Sequence, residues 1–175
     1  EQARDMTPEQ KAAMDKAMKE REAAMKKNAA LNTAFNEGMT AMQAKSYDAA
    51  VAAFAKASEL DPKQHVVWAQ LAEAYMGQAG SKAGADRDAT MAKGLEAYNK
   101  VLELKPDDAV ALAGKGGVMA RRHDVTAALA AFDAAVKIDP ELVQAVSGRA
   151  WARHVKGDAA GAAAYYAQAA KLAPR

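Results

Sequence analysis

Residues 128–140 read ALAAFDAAVKIDP, and variants of this phrase recur three more times along the chain. It appears as AVAAFAKASELDP at 50–62, as GLEAYNKVLELKP at 94–106 and as AAAYYAQAAKLAP at 162–174. Each copy begins with a small residue, has an aromatic residue four positions later and ends in proline. The last three copies are 34 residues apart, and the second follows the first by 44. The chain is therefore built from an internal repeat.

Each copy has the spacing of one face of a helix. Ala128, Phe132 and Ala135 are separated by four and three residues, so their side chains lie above one another on a helix. Small residues allow a neighbouring helix to approach closely, and the aromatic ring fills the space between the two. Proline then ends the helix, because it lacks the N–H group and clashes with the preceding turn.

A second helical pattern precedes each of the first three phrases. It comprises Ala34, Gly38 and Ala41 in the first unit, Trp68, Leu71, Ala72 and Tyr75 in the second, and Leu112, Gly116 and Met119 in the third. The combined pattern resembles the tetratricopeptide repeat, whose Trp-x2-Leu-Gly-x2-Tyr, Ala-x3-Phe and Pro positions it matches. The resemblance divides the chain into repeats 31–64, 65–108, 109–142 and 143–175. It implies an all-α, right-handed superhelical solenoid of four helix pairs, preceded by an N-terminal helix.

Two repeats depart from the family pattern. The second contains ten extra residues around Gly77–Gly84, whose glycine density predicts a flexible loop. Asp86 or Asp88 is expected to cap a long second helix after that loop. In the fourth repeat, Arg149 and Arg153 occupy positions that are usually apolar in the family, so looser internal packing is expected there.

Both ends of such a stack need to be covered. Pro8 begins a helix that is predicted to continue to Lys27, with methionines at 14, 18 and 25 along one side. We expect residues 1–30 to form a capping helix. A dimerisation or self-docking segment and a disordered segment are the alternatives. The last repeat lacks the solvating helix that usually follows these arrays, so either the natural chain continues or a partner, such as a second copy, covers this end.

Composition limits the compartment and the chemistry. The absence of cysteine excludes disulfides and thiol nucleophiles but does not identify a compartment. No apolar run approaches the roughly 20 residues that span a bilayer. Because the chain begins at Glu1 rather than methionine, we expect a processed or trimmed form. A removed signal peptide and a periplasmic location are both compatible with it.

The first helix of each repeat is expected to supply the ligand-binding surface. In such arrays, as the resemblance implies, these helices line the concave face. Helix geometry selects the residues that point away from the second helix of the pair. The predicted groove residues are Asn32, Phe35, Asn36, Met39, Met42, Gln43, Val66, Ala69, Gln70, Glu73, Met76, Val110, Ala113, Gly117, Arg121, Gln144, Ser147, Trp151 and His154.

The predicted groove has an apolar, methionine-rich half and a more polar and basic far end. Methionine adapts to irregular apolar partners, so an amphipathic helix or an extended apolar peptide is the expected ligand, with an acidic group near Arg121. The alternative is that Phe35, Met39 and Met42 pack against the chain's own N-terminal helix. Chaperone-tail binding is not expected, since the positions of the family's Lys/Asn carboxylate clamp hold Phe35, Met39, Gln70, Val110 and Gly114.

No catalytic, cofactor or metal site is predicted. His65, His123 and His154 fall in different repeats without i,i+4 partners. The Asp86-x-Asp88 pair lacks the remaining ligands of a calcium loop. The glycines at 114, 116 and 117 lie inside a helical pattern rather than a phosphate loop.

The one specific charged cluster comprises Arg121, Arg122, His123, Arg149, Arg153, His154 and Lys156. A solvated or internally paired surface, a site for an acidic partner and an RNA site are the three interpretations. The RNA interpretation is the weakest, because too few aromatic residues are interleaved with these cations to form stacking platforms for bases.

The sequence therefore predicts a non-enzymatic scaffold for protein–protein interaction, and its alanine-rich composition favours a bacterial source. Two other hypotheses stay open. One is a self-assembling structural protein, a homodimer or larger, that uses the N-terminal helix and the open C-terminal end. The other is an enzyme-accessory domain of a longer chain.

Overall fold

A computed structural model describes residues 6–173, and within that range the chain forms eight α-helices and no β-strand. Residues 1–5 of the predicted N-terminal segment lie outside the described residues, as do the last two of the predicted fourth repeat. The helices are α1 (Pro8–Gln43), α2 (Tyr47–Leu60), α3 (His65–Gly80), α4 (Gly84–Leu104), α5 (Ala109–Arg121), α6 (Val125–Ile138), α7 (Val143–Val155) and α8 (Ala159–Leu172).

The helices stack in chain order. Each helix packs against the next one, with the most extensive packing inside the pairs α1–α2, α3–α4, α5–α6 and α7–α8. In addition, α5 contacts both α3 and α7. The first helices of the last three pairs, α3, α5 and α7, therefore lie side by side and share one surface of the stack.

Local sequence explains several of the helix starts. Thr7 accepts a hydrogen bond from the backbone N–H of Gln10, whose side chain accepts one from the Thr7 N–H, so α1 begins with a capping box. Asp108, Asp124 and Asp158 each accept a hydrogen bond from the N–H three residues on, at the starts of α5, α6 and α8. These bonds satisfy donors that the first turn of a helix leaves free.

The recurring aromatic residue lies in the core in the first three repeats. Phe54, Tyr98 and Phe132 are almost completely buried, as their helical spacing predicts. The Phe54 ring contacts α1 at Gly38, where a Cβ atom would lie 2.5 Å from the ring. A side chain at that position would push the two helices apart, so glycine is needed for their close approach.

The extra residues of the second repeat lengthen its helices instead of forming the predicted flexible loop. Helix α3 extends through Gly77 to Gly80, and α4 begins at Gly84, so only three residues separate them. Gly77 lies against the Tyr47 ring, at a distance that leaves no room for a side chain. Gly77 therefore serves close packing, whereas Gly80 and Gly84 have open space around them, so the glycine density did not correspond to a long loop.

The predicted aspartate cap of α4 is also wrong, although the expected long second helix is confirmed. Ala83 is the N-cap residue of α4, and it provides no side-chain hydrogen bond. Asp86 lies in the first turn of the helix, and its carbonyl accepts a hydrogen bond from the Thr90 hydroxyl.

The N-terminal segment and the first helix of repeat one are a single helix of 36 residues. We call residues 8–29 of α1 the arm. All of them are exposed, so the arm covers no other part of the described chain. Since a continuous helix cannot fold back on itself, the alternative in which Phe35, Met39 and Met42 pack against the N-terminal helix is excluded. Those three side chains pack, partly buried, against the core around Phe54.

In the last repeat, aromatic stacking compensates for the two arginines on the packed face. The Arg149 and Arg153 guanidinium groups lie 3.8 and 5.2 Å from the centre of the Tyr165 ring. Arg149 also lies 3.7 Å from Asp133, and Arg153 lies 3.3 Å from Asp158. The Nε atom of each arginine is nevertheless buried without a hydrogen-bond partner. Packing is thus preserved, at the cost of two unsatisfied donors.

Candidate protein-binding surface

The predicted groove residues all lie on α1, α3, α5 and α7, the first helices of the four pairs. The contacts of α5 with α3 and α7 place at least three of these helices side by side. Polypeptide partners bind such surfaces where neighbouring helices leave clefts between them.

A first cleft lies between α1 and α3. It has a volume of about 230 Å³, and its lining includes the predicted residues Asn32, Phe35 and Val66. Phe35 is half-buried and meets the Phe54 ring edge to face, with ring centres 5.6 Å apart. The floor of this cleft is therefore held by the core.

A second cleft, of about 200 Å³, lies between α3 and α5. It brings together the predicted residues Val66, Ala69, Gln70, Glu73 and Val110. Val66 lines both clefts, so the two adjoin along α3. Val66 and Val110 are 46% and 54% exposed, which is high for apolar side chains of this size and gives the surface an apolar character.

A buried tyrosine fixes one wall of the second cleft. Tyr98 on α4 donates its hydroxyl hydrogen to the Glu73 carboxylate on α3. The ring passes α5 at Gly114, where a Cβ atom would overlap the Tyr98 ring. Burial, together with the charge of Glu73 and its hydrogen bond, raises the pKa of Tyr98 above the ordinary value of 10.0. The hydroxyl therefore stays protonated as a donor at neutral pH, and Glu73 is held in place.

A third and larger cavity, of about 710 Å³, lies where the extended ends of α3 and α4 approach α2 and α5. Its lining includes two predicted groove residues, Met76 and Arg121. It also includes Lys82 and Arg87, which the sequence interpretation missed because they were assigned to a flexible loop and its flank. Reading the extra residues as added turns of both helices would have identified them, because those added turns bring Lys82 and Arg87 to the cavity.

Not every predicted groove residue reaches this surface. Ala113 is completely buried, because α5 turns that side toward the core, and it is unavailable to a ligand. Asn36 lines a different cavity, with Thr33 and Thr40, between α1 and α2. The rest of the prediction for α1 is mixed: Met39 and Met42 are partly buried against the core, and Gln43 is exposed.

The predicted residues of α5 and α7 that remain have mixed environments: some are open to solvent, and others contact the chain itself. Gly117 is open, with nothing near the position a Cβ atom would take. The Ser147 hydroxyl donates to backbone carbonyls within α7, and Trp151 packs, partly buried, against the core around Phe132. Gln144 and His154 are exposed.

The basic cluster divides into two groups. Arg149 and Arg153 are paired within the chain through Tyr165 and two aspartates, which agrees with the interpretation of a paired surface. The other members, Arg121, Arg122, His123, His154 and Lys156, are exposed. Arg121 alone among them lines the large cavity described above.

Metal binding and membrane insertion find no support in the described part of the chain. Residues 6–173 contain no group of three or more acidic, histidine or cysteine side chains arranged to hold a metal ion. None of the helices described is both long and apolar enough to cross a membrane.

The family model for the tetratricopeptide repeat matches residues 31–64, which comprise the end of α1, all of α2 and the turn that follows. This segment belongs to the tetratricopeptide repeat family. The sequence-based prediction of that family is thereby confirmed. No curated protein matches the chain at a significant level.

Solved structures show the same fold over the rest of the chain. A crystal structure of MamA aligns with a TM-score of 0.70 and 19% identity, covering 95% of both chains. MamA from Desulfovibrio magneticus RS-1, from residue 41 to its end, gives 0.69 and 18%, covering 81% of this chain and 75% of that one. The tetratricopeptide domain of Arabidopsis OM64 gives 0.65 and 16%, covering 73% and 98%. The predicted all-α tetratricopeptide solenoid is confirmed.

Proposed function

We propose that this protein is a non-enzymatic scaffold that binds a polypeptide, as an amphipathic helix or an extended apolar segment, on the surface formed by α1, α3 and α5. The fold is that of a protein-interaction module, but fold alone does not identify a binding site. The observation that carries the proposal is the pair of adjoining clefts joined at Val66. They offer apolar contacts beside the amide of Gln70 and the Glu73 carboxylate, which accepts the hydrogen bond from Tyr98.

The arrangement suits a partner whose apolar side chains enter successive clefts. Val66 and Val110 are exposed, so a ligand that covers them removes apolar area from water and gains about 25 cal/mol per Å². Gln70 can bond to the backbone of an extended segment.

Peptides selected from a displayed random library would test this proposal, with affinities measured by fluorescence anisotropy. The double variant Val66→Glu/Val110→Glu should weaken binding of the selected peptides by at least about tenfold, since it places charges in both clefts. Leu104→Glu/Ile138→Glu is the matched control, because those side chains are similarly exposed at the ends of α4 and α6. Equal affinities for the cleft variant and the control would refute the proposal.

Self-assembly is a second candidate function, and the arm favours it. Met14, Met18 and Met25 are 42%, 54% and 63% exposed along one side of a helix that buries none of its residues between 8 and 29. Because most helical stability in proteins comes from packing of an apolar face, an apolar partner along the methionines would stabilise the arm. The partner in this hypothesis is a second copy of the chain.

Light scattering across a concentration series would test self-assembly with three proteins. We expect the intact chain to form larger species as concentration rises, and the chain lacking residues 1–28 to stay monomeric. Met14→Gln/Met18→Gln/Met25→Gln keeps the helix but removes the apolar side chains, so it should behave as the truncated form does. Monomers at every concentration in all three proteins would dismiss the hypothesis.

A further inference from the structure

The third cavity lies where the second repeat is longer than its neighbours. Helix α3 has 16 residues and α4 has 21, whereas α5 and α6 have 13 and 14. The additional turns extend past the end of α5. A cavity of about 710 Å³ lies between them, Tyr47 of α2 and Arg121 of α5.

The cavity is cationic. Lys82, Arg87 and Arg121 line it, and its lining contains no acidic residue. Because three like charges around one space repel one another, an anion between them would be favoured by all three.

Intramolecular partners leave most of this charge uncompensated. Among the described residues, the one hydrogen-bond partner of the Lys82 ammonium is a neutral hydroxyl, that of Thr90, at 3.1 Å. Arg87 lies 3.9 Å from Asp88, at the limit of an ion pair, and both side chains are about half or more exposed. Within residues 6–173 the Arg121 side chain forms no ion pair or hydrogen bond.

The apolar part of the lining indicates which anion fits. Tyr47, Met76 and Met91 form walls beside the cations, and Met91 is almost completely buried. An inorganic ion would gain nothing from these walls. A carboxylate carried on an apolar polypeptide would contact both parts, and guanidinium groups pair with carboxylates through two parallel hydrogen bonds.

We propose that this cavity binds a carboxylate of the polypeptide held in the clefts. This inference rests on the proposed function and gives the ligand a register. Val66, at the junction of the clefts, and Met76, at the cavity, are ten residues apart on α3, which corresponds to about 15 Å along the helix axis. In an extended ligand that distance spans about five residues. The acidic residue therefore follows or precedes the apolar anchors by about five positions.

The site differs in position from the family's carboxylate clamp. The clamp positions hold Phe35, Met39, Gln70, Val110 and Gly114, none of which is a cation. Here two of the three cations, Lys82 and Arg87, lie in or beside the extra residues that make the second repeat longer than the others.

The test uses two fluorescein-labelled peptides of about ten residues, with amidated C-termini, that carry valine and leucine anchors and, about five positions on, either two glutamates or two glutamines. We expect the intact protein to bind the glutamate peptide about tenfold or more tightly than the glutamine peptide at low salt. Lys82→Gln/Arg87→Gln should remove that preference. Lys93→Gln/Lys100→Gln, which changes the same net charge in a separate cavity between α3 and α4, should preserve it.

A third peptide with glutamines and a free C-terminal carboxylate distinguishes a terminal from a side-chain carboxylate. Equal affinity for all three peptides would overturn the inference, as would a preference that survives Lys82→Gln/Arg87→Gln. Failure of the cleft proposal gives a different pattern. The variant Val66→Glu/Val110→Glu would then bind the glutamate peptide as tightly as the intact protein does, and would still prefer it to the glutamine peptide. If the glutamine peptide binds and depends on Val66 and Val110, but glutamate adds nothing, the clefts stand and the carboxylate site falls.

Discussion

Tyr98 and Tyr166 occupy the same position of their repeats, eight residues before a proline, but their environments are opposite. Tyr98 is 2% exposed beneath α5 and donates a hydrogen bond to Glu73. Tyr166, on the last described helix, is 43% exposed. The comparison indicates that a repeat does not bury its aromatic residue completely by itself, because a helix of the next pair, such as α5 over Tyr98, supplies part of the cover.

Truncating the two tyrosines to alanine should give the largest difference. Tyr98→Ala leaves a cavity in the core and removes the partner of Glu73, so we expect a loss of about 3–5 kcal/mol in the free energy of unfolding. Tyr166→Ala should cost about 1 kcal/mol or less, since much of that side chain is already in water. Urea denaturation followed by circular dichroism measures both. Similar losses for the two variants would contradict the view that α5 makes the difference.

The glycines of α5 test the contact from the other side. Gly114→Ala places a methyl group against the Tyr98 ring and should destabilise the protein by about 1–3 kcal/mol. Gly117→Ala, one turn later, meets open space, so its better helix propensity should stabilise the protein by about 0.5–1 kcal/mol. Opposite signs in thermal or chemical unfolding are expected. If both variants destabilise the protein, the close approach of α5 to the Tyr98 ring does not explain the effect of Gly114→Ala.

The Tyr98 hydroxyl should have the smallest effect near neutral pH. Tyr98→Phe should cost about 1 kcal/mol, because Glu73 is exposed and can bond to water instead. The pKa of Tyr98 is raised in the folded protein, so its hydroxyl ionises first in the unfolded chain. Its contribution is therefore fully present below about pH 10 and is lost as pH rises further.

The pH dependence is measured as the difference in free energy of unfolding between the intact protein and Tyr98→Phe. This difference should narrow or reverse as pH rises above about 10. Tyr166→Phe is the control, because it removes the hydroxyl of a tyrosine that is exposed to water. If the difference in free energy of unfolding between the intact protein and Tyr98→Phe stays constant across alkaline pH, the pKa of Tyr98 is not raised in the folded protein.

The fold could be predicted because the repeat carries its own redundancy. Four copies of a small–aromatic–proline pattern, the last three at a period of 34 residues, specify helix, face and stop signal independently, and a single substitution such as Arg149 does not erase them. The packing of Arg149 and Arg153 on Tyr165 was not predictable, since it depends on which side chain of α8 lies opposite them in the folded protein.

The candidate site could be predicted only in outline. Assignment to the first helices placed Val66, Glu73 and Val110 on one surface, but counting positions from an ideal helix also selected the buried Ala113. The error arises because α5 packs against helices on more than one side. Lys82 and Arg87 were missed for a different reason: glycine signals both flexibility and close packing, and sequence does not separate the two.

By itself, then, the sequence determined that this chain is a stack of helix pairs, because periodic small and aromatic residues can be buried only by neighbouring copies of the same unit. Tertiary structure decided where the stack has clefts, which tyrosine is covered and that the arm stays exposed. Those outcomes depend on distances between residues far apart in the chain, such as Tyr98 and Gly114, and no local pattern records them.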